Sequence, residues 1–119
     1  MNDLSSAILL LILSLIAHLV EEVKTGFRKQ FPLGEMPLWG FLSANGAIYL
    51  CLFALLVLSI RDHPLSIPLA WAFAIIMLLN GIAHLTIAAV RKRYFPGMIT
   101  SFLLIPAALY LIVVLQVTD

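Results

Sequence analysis

Two imidazoles and two carboxylates in this sequence are spaced so that they can share one binding site. His18, Glu21 and Glu22 lie in the segment HLVEE, and His84 ends the segment NGIAH. At about 100° per residue, Glu21 and Glu22 fall within about 60° and 40° of His18 on one helix face. Imidazole nitrogens and carboxylate oxygens are preferred ligands of zinc and non-haem iron, and catalytic zinc sites use three protein ligands. The residues predict a divalent metal, zinc or iron, bound by His18, Glu22 and His84.

The segment HLVEE also suggests a catalytic base. Its spacing resembles the inverse zincin pattern H-x-x-E-H, with Glu22 in place of the second histidine. By that analogy Glu21 is the general base, and water activated by the metal is the nucleophile. The hypothesis is a metal-dependent hydrolase, or another lipid-modifying enzyme, acting on a lipid or another hydrophobic small molecule.

Three alternatives to this enzyme are compatible with the sequence. Two of them use the same residues, and the third gives them no chemical role. Without a metal, the carboxylates and imidazoles can move protons on a lipid-like substrate, as in an isomerase. The pocket can also bind a small molecule or carry out proton-coupled transport, since the small multidrug-resistance transporters have a similar size and a glutamate in their first helix. The last alternative is a structural membrane subunit, in which the glutamates extend to water at the membrane surface.

Composition places all of these residues in a membrane protein. Of the 119 residues, 63% are hydrophobic and 11% charged, and the mean hydropathy is +1.11, far from the balance of a soluble domain. Four apolar segments, at about residues 4–23, 41–60, 67–90 and 98–117, approach the roughly 20 residues that span a bilayer as a helix. We therefore predict an all-α fold, a single domain over residues 1–119 forming a bundle of four transmembrane helices. The near-zero net charge gives no reason to expect nucleic acid as a partner.

Basic residues predict the orientation of the helices. Six lie in the first and third connections, Lys24, Arg28, Lys29, Arg91, Lys92 and Arg93, whereas Arg61 alone lies on the opposite side. By the positive-inside rule, these two connections are cytoplasmic and both termini are external, in what we expect to be a bacterial plasma membrane. Cys51 lies mid-helix, and we expect a buried thiol. A bundle with small residues on its faces is also compatible with a homodimer.

Polar residues of all four helices fall at one depth. At 1.5 Å per residue, His18 and His84 lie roughly 9 and 10 Å from the cytoplasmic ends of their helices. Asn45 and Thr100 lie roughly 8 and 6 Å from theirs, and the other half of the bundle has almost no polar residues. Because polar side chains within a membrane usually face the bundle interior, we expect a polar pocket in which other groups orient the ligands: Asn45, Asn80, Tyr94 and Thr100.

The motifs HLVEE, NGIAH and RYFPGMIT, with Pro106 in the last helix, resemble the HXXEE-domain family of small membrane proteins. The resemblance runs from His18 to Pro106. It implies that the following residues matter: His18, Glu21, Glu22, Asn80, His84, Tyr94, Pro96, Gly97 and Thr100. The resemblance thus supports the choice of site residues and supplies no reaction.

Overall fold

The computed structural model describes residues 2–118, which form four α-helices. They are α1 (Asp3–Thr25), α2 (Leu38–Ile60), α3 (Ser66–Arg91) and α4 (Met98–Thr118), with a short 3-10 helix, Phe27–Gln30, in the first connection. No strand occurs in this part of the chain. All four helices are long and apolar enough to cross a membrane. The prediction of an all-α four-helix bundle is confirmed, and the apolar helices indicate a membrane protein.

The helix ends follow from local sequence. The side chain of Asn2 accepts a hydrogen bond from the backbone N–H of Ser5 at 2.7 Å and so caps the start of α1. Gly26 ends α1 with φ of 79°, a left-handed conformation that glycine adopts without strain. Pro37 precedes α2, which begins a few residues earlier than predicted because proline is well suited to a helix start.

Small residues allow close packing of α3 against α4. A Cβ atom on Gly81 would lie 2.6 Å from Cγ1 of Ile105, and Ala70 and Ala74 on the same helix are completely buried. Helix α4 packs mainly against α1 and α3, whereas α2 makes less extensive contact with the same two helices. Close approach of this kind stabilises membrane bundles through van der Waals contact, since lipid supplies no hydrophobic force between helices.

Many large apolar side chains point outward, as expected for a surface that faces lipid. Cys51 is among the exposed residues, so the expectation of a buried thiol is wrong. Helix α2 directs few residues into the core, and the position of Cys51 along the chain could not show which face of α2 is covered.

The two ends of the bundle differ in their polar groups. We call the end where α1 begins, α4 ends and α2 turns into α3 the terminal end, and the opposite end the site end. At the terminal end, the buried hydroxyls of Ser5 and Ser59 are hydrogen-bonded at 2.9 Å, and Asn2 donates to the carbonyl of Ser59 at 3.1 Å and to Asp62 at 3.0 Å. The expectation that this half of the bundle has almost no polar residues is therefore wrong. The hydroxyls of Ser5 and Ser59 can be buried here because they bond to each other, and this bond joins α1 to α2.

Candidate metal centre

Helices α1 and α3 bring His18, Glu22 and His84 together at the site end. All three are buried, with exposed fractions of 0%, 8% and 5%. Nε2 of His18 lies 3.2 Å from Nε2 of His84, and Oε2 of Glu22 lies 3.9 Å from the first nitrogen and 3.6 Å from the second. One ligand atom from each residue thus lies within 4.8 Å of the others. We call these three residues the His-Glu-His cluster.

The hydrogen bonds of Thr100 determine which nitrogen of His18 carries a proton. The Thr100 hydroxyl donates to Oε1 of Glu21 at 2.6 Å, and an ionised carboxylate can only accept. The same hydroxyl lies 2.8 Å from Nδ1 of His18. Because its proton is directed to Glu21, it accepts from the Nδ1–H of His18, and a neutral His18 ring therefore has its lone pair on Nε2.

A backbone carbonyl determines which nitrogen of His84 carries a proton. Nδ1 of His84 lies 2.7 Å from the carbonyl oxygen of Pro96, and a carbonyl can only accept. The Nδ1–H of His84 therefore donates to it, and the lone pair of a neutral ring lies on Nε2. Outer hydrogen bonds of this type orient metal-binding histidines and fix their tautomer in many metalloproteins.

The cluster thus directs two lone pairs and a carboxylate at one point. Two nitrogen acceptors 3.2 Å apart repel unless a cation, either a metal ion or a proton, lies between them. Tetrahedral zinc with bonds of about 2.0 to 2.1 Å separates its ligand atoms by roughly 3.3 Å. The three separations of 3.2, 3.6 and 3.9 Å are close to that spacing. The donor set therefore fits a divalent metal with small movements of the carboxylate.

Glu21 points away from the cluster and binds the start of α4. Its Oε1 accepts from the backbone N–H of Thr100 at 2.7 Å as well as from the hydroxyl. Its Oε2 accepts from the backbone N–H of Ile99 at 3.2 Å and from the hydroxyl of Tyr94. A carboxylate is favourable at a helix N-terminus, where free N–H groups and the helix dipole both attract negative charge. Glu21 therefore joins α1 to α4 and holds Thr100 against His18.

Tyr94, in the α3–α4 connection, completes this arrangement. Burial raises the pKa of its phenol, and so does the hydrogen bond to the Glu21 carboxylate. The phenol therefore remains protonated near neutral pH and continues to donate to Glu21.

Gly97 allows the α3–α4 turn to approach both imidazoles. Its φ of 95° is disfavoured for residues with a side chain. A Cβ atom here would overlap Nδ1 of His84 and lie 2.8 Å from Cε1 of His18. The turn backbone thus forms one wall of the cluster.

The two predicted asparagines differ in their surroundings. The Asn45 amide donates to the carbonyl of Phe41 on its own helix at 2.9 Å, and no side-chain hydrogen bond joins it to the cluster within residues 2–118. Asn80 is half-buried one helical turn before His84, and its side chain lies close to His18. Of the four predicted orienting residues, the structure brings Thr100, Tyr94 and Asn80 to the site.

Sequence reasoning missed Tyr49 on α2. Its hydroxyl is buried and has no hydrogen-bond partner in the part of the chain that the structure describes, and it lies within electrostatic reach of Glu22. Tyr49 is 11 residues from the start of α2, deeper than the predicted polar layer. Side chains on a helix lean toward its N-terminus, which here is the site end, and this rule would have identified it.

Aromatic rings cover the cluster on the side of the connections. The ring centroid of Phe27, in the 3-10 helix, lies 5.2 Å from that of His84, and the Phe95 centroid lies 5.5 Å from it. Phe41 lies 6.3 Å from Phe27. These rings limit the access of water to His84 and lower the local dielectric constant.

One open cleft reaches the cluster through Glu22. Its volume is about 490 Å³, and we call it the Glu22 cleft; its lining residues are Glu22, Val23, Lys24, Thr25, Gly26, Arg28, Lys29, Leu38 and Phe41. The cleft therefore gives a small molecule a route to Glu22, one of the three predicted metal ligands.

A family model described as a protein of unknown function with an HXXEE motif matches residues 9–111. The letters of that motif correspond to His18, Glu21 and Glu22. No curated protein and no solved structure matches the chain.

Proposed function

Since the chain belongs to the family of proteins of unknown function with an HXXEE motif, which supplies no reaction, we propose a function from its own residues. The proposal is a metal-dependent membrane enzyme acting on a lipid or another hydrophobic small molecule, with His18, Glu22 and His84 as metal ligands. The observation that supports it most is the pair of Nε2 atoms, both lone-pair bearing and 3.2 Å apart beside a buried carboxylate.

In this proposal each residue has a defined task. A divalent metal with three protein ligands supplies Lewis-acid activation of water or of a substrate oxygen. Thr100 and the Pro96 carbonyl hold the two imidazoles in the tautomer that binds a cation. The Tyr49 hydroxyl, which has no partner among the described residues, donates a hydrogen bond to a substrate oxygen.

For Glu21 we propose a positioning role in place of the general base that the HLVEE spacing predicts. Four donors already occupy its two carboxylate oxygens. A base needs an oxygen within hydrogen-bond reach of the proton that it removes. Glu21 instead acts on the cluster through Thr100, which it holds 2.8 Å from Nδ1 of His18.

The second candidate is a proton-handling pocket for ligand binding or transport. The same 3.2 Å separation accommodates one shared proton between the two rings, with Glu22 as the counter-ion 3.6 Å from His84. Metal content separates the two candidates, because a proton-handling pocket functions without bound metal.

The experiment is elemental mass spectrometry of the protein purified in detergent without chelators. We expect close to one equivalent of zinc or iron in the wild type and a loss of nearly all of it in His18→Ala and in His84→Ala. His63→Ala is the matched control, because His63 lies in the exposed α2–α3 turn and its loss should leave the metal in place. A wild type free of metal, also after incubation with zinc, iron or manganese, would exclude the enzyme proposed here and favour the proton-handling pocket.

A further inference from the structure

The Glu22 cleft combines features that suit an amphiphilic ligand. Three cations line it, Lys24, Arg28 and Lys29. Its apolar wall includes Val23 and Leu38, whose exposed fractions are 61% and 56%. Exposed apolar side chains at these positions can contact the acyl chain of an amphiphilic ligand as well as lipid.

The three cations are unequal in their existing partners. Arg28 lies 3.5 Å from Glu35 and donates to the carbonyl of Met36 at 3.3 Å, so its side chain is held in place by the first connection. Lys24 and Lys29 are exposed and have no ion pair with a carboxylate in residues 2–118. Two free ammonium groups beside a fixed guanidinium favour a ligand with more than one negative charge, such as a phosphate monoester.

Glu22 lines the same cleft as the three cations and is part of the His-Glu-His cluster. An anionic group at the lysines therefore leaves the adjoining part of the same molecule next to the cluster. The acyl chain of such a ligand can contact the apolar wall and the surrounding lipid. Binding of the headgroup then does not require the chain to be transferred into water, which would be unfavourable. The three cations and the apolar wall together favour an anionic amphiphile as the ligand.

We infer that the Glu22 cleft binds a lipid with an anionic phosphate headgroup, held by Lys24, Arg28 and Lys29, with its acyl chains toward the membrane. As the substrate class of the proposed enzyme, this inference rests on the proposed function, but binding itself requires no metal. The reactive bond would lie between the headgroup and the chains, close to Glu22.

The test is native mass spectrometry of the detergent-purified protein titrated with dioctanoyl phosphatidic acid. We expect it to bind at least about tenfold more tightly than dioctanoyl phosphatidylcholine. Lys24→Gln/Lys29→Gln should weaken the binding of phosphatidic acid about 30-fold, since each of the two lysines near an anionic headgroup contributes about 1 kcal/mol. Lys92→Gln/Arg93→Gln is the control, because it removes two charges at the same end of the bundle from residues outside the cleft.

Each possible result has a definite meaning. Equal weakening by both double variants would show attraction to general surface charge and would overturn the inference. Equal affinity for the two lipids would also overturn it. Inorganic phosphate that competes at the affinity of the lipid would show a phosphate site without a place for the chains, and would overturn the lipid assignment.

The titration is run on metal-loaded and chelator-treated protein so that the two proposals can fail separately. Selective lipid binding by a protein that never holds metal would support the lipid site and exclude the metal-dependent enzyme. If the protein holds stoichiometric metal but does not distinguish the two lipids, the proposal of a metal-dependent enzyme would stand and the proposal of a lipid site would be overturned.

Discussion

The two ends of the bundle both bury polar side chains, but they pair them differently. At the terminal end, Ser5 bonds to Ser59 at 2.9 Å, and Asn2 donates to two acceptors on α2 and the following turn. Each of these bonds has a donor and an acceptor within the protein. At the site end, outer partners already bind the Nδ1–H groups of His18 and His84, so two acceptor nitrogens face each other beside a carboxylate.

This difference separates a structural polar contact from a binding site. Within a membrane an interhelical hydrogen bond contributes on average about 0.6 kcal/mol, and a matched pair needs nothing further. Three acceptors around one point are unfavourable until a cation joins them. Burial and polarity are common to both ends, so the balance of donors and acceptors is what distinguishes the end that we propose to be functional.

The largest expected effect comes from Gly97→Ala. The added Cβ would overlap the His84 ring in a backbone conformation that alanine disfavours, so we expect a loss of stability of about 1 to 3 kcal/mol. Displacement of both rings should lower zinc affinity at least about 100-fold, as measured by competition with a chromophoric chelator. Gly46→Ala is the control, because the space around Gly46 is open. Unchanged affinity in Gly97→Ala would show that the turn does not form a wall of the cluster.

A smaller loss is expected from Glu21→Gln. The amide group cannot accept from all four donors at the start of α4, so Thr100 should hold His18 less firmly and metal affinity should fall about tenfold. Glu35→Gln, at an exposed carboxylate in the first connection, should leave affinity unchanged. If Glu21 is instead a general base, Glu21→Gln should keep full metal affinity and lose only turnover.

Tyr49→Phe should leave metal binding intact and weaken the binding of a probe anion. With cobalt loaded into the proposed site, the visible spectrum reports azide binding. We expect the loss of one hydrogen bond to weaken azide about fivefold. Tyr110→Phe removes the same group from an exposed position on α4 and should have no effect. Equal azide affinity in the wild type, Tyr49→Phe and Tyr110→Phe would show that the Tyr49 hydroxyl has no role at the site.

The smallest effect is expected at the terminal end. Ser5→Ala and Ser59→Ala should each lower stability by about 1 kcal/mol, and the double variant should cost less than the sum, since both remove one shared bond. Thermal denaturation in detergent measures these changes. Metal content should stay at the wild-type value in all three variants. A loss of metal would show that the two ends are coupled, and the comparison between them would then fail.

The sequence alone could predict the helices and the proximity of His18, Glu22 and His84. Apolar runs of sufficient length specify the four helices, and helical spacing with a common depth brings His18, Glu22 and His84 together. Helical spacing places Glu21 on the same face as His18, and it could not show that the carboxylate turns to α4. That direction depends on where the N-terminus of α4 lies, which is a property of the packed bundle.

Asn45 and Tyr49 show that the depth of a residue along the helix is not enough to predict whether its side chain reaches the site. Asn45 has the predicted depth but bonds to its own helix. Tyr49 lies too deep by its backbone position, yet its buried hydroxyl lies near Glu22 and has no hydrogen-bond partner within residues 2–118. Depth measured along the backbone ignores the length and lean of a side chain. A prediction that used the position of the polar atom would have ranked these two residues in the reverse order.

The hydrogen bonds of Glu21 also have a consequence for biosynthesis. They join residues 73 to 79 positions apart, so α1 is synthesised and enters the membrane long before the N–H groups of α4 exist. Until then, the Glu21 carboxylate lacks its four donors in residues 94–100, and the Thr100 hydroxyl is not there to orient His18. The cluster therefore cannot acquire its final donor arrangement before the last helix has been inserted, and a chain truncated before α4 should retain HLVEE without a formed metal site.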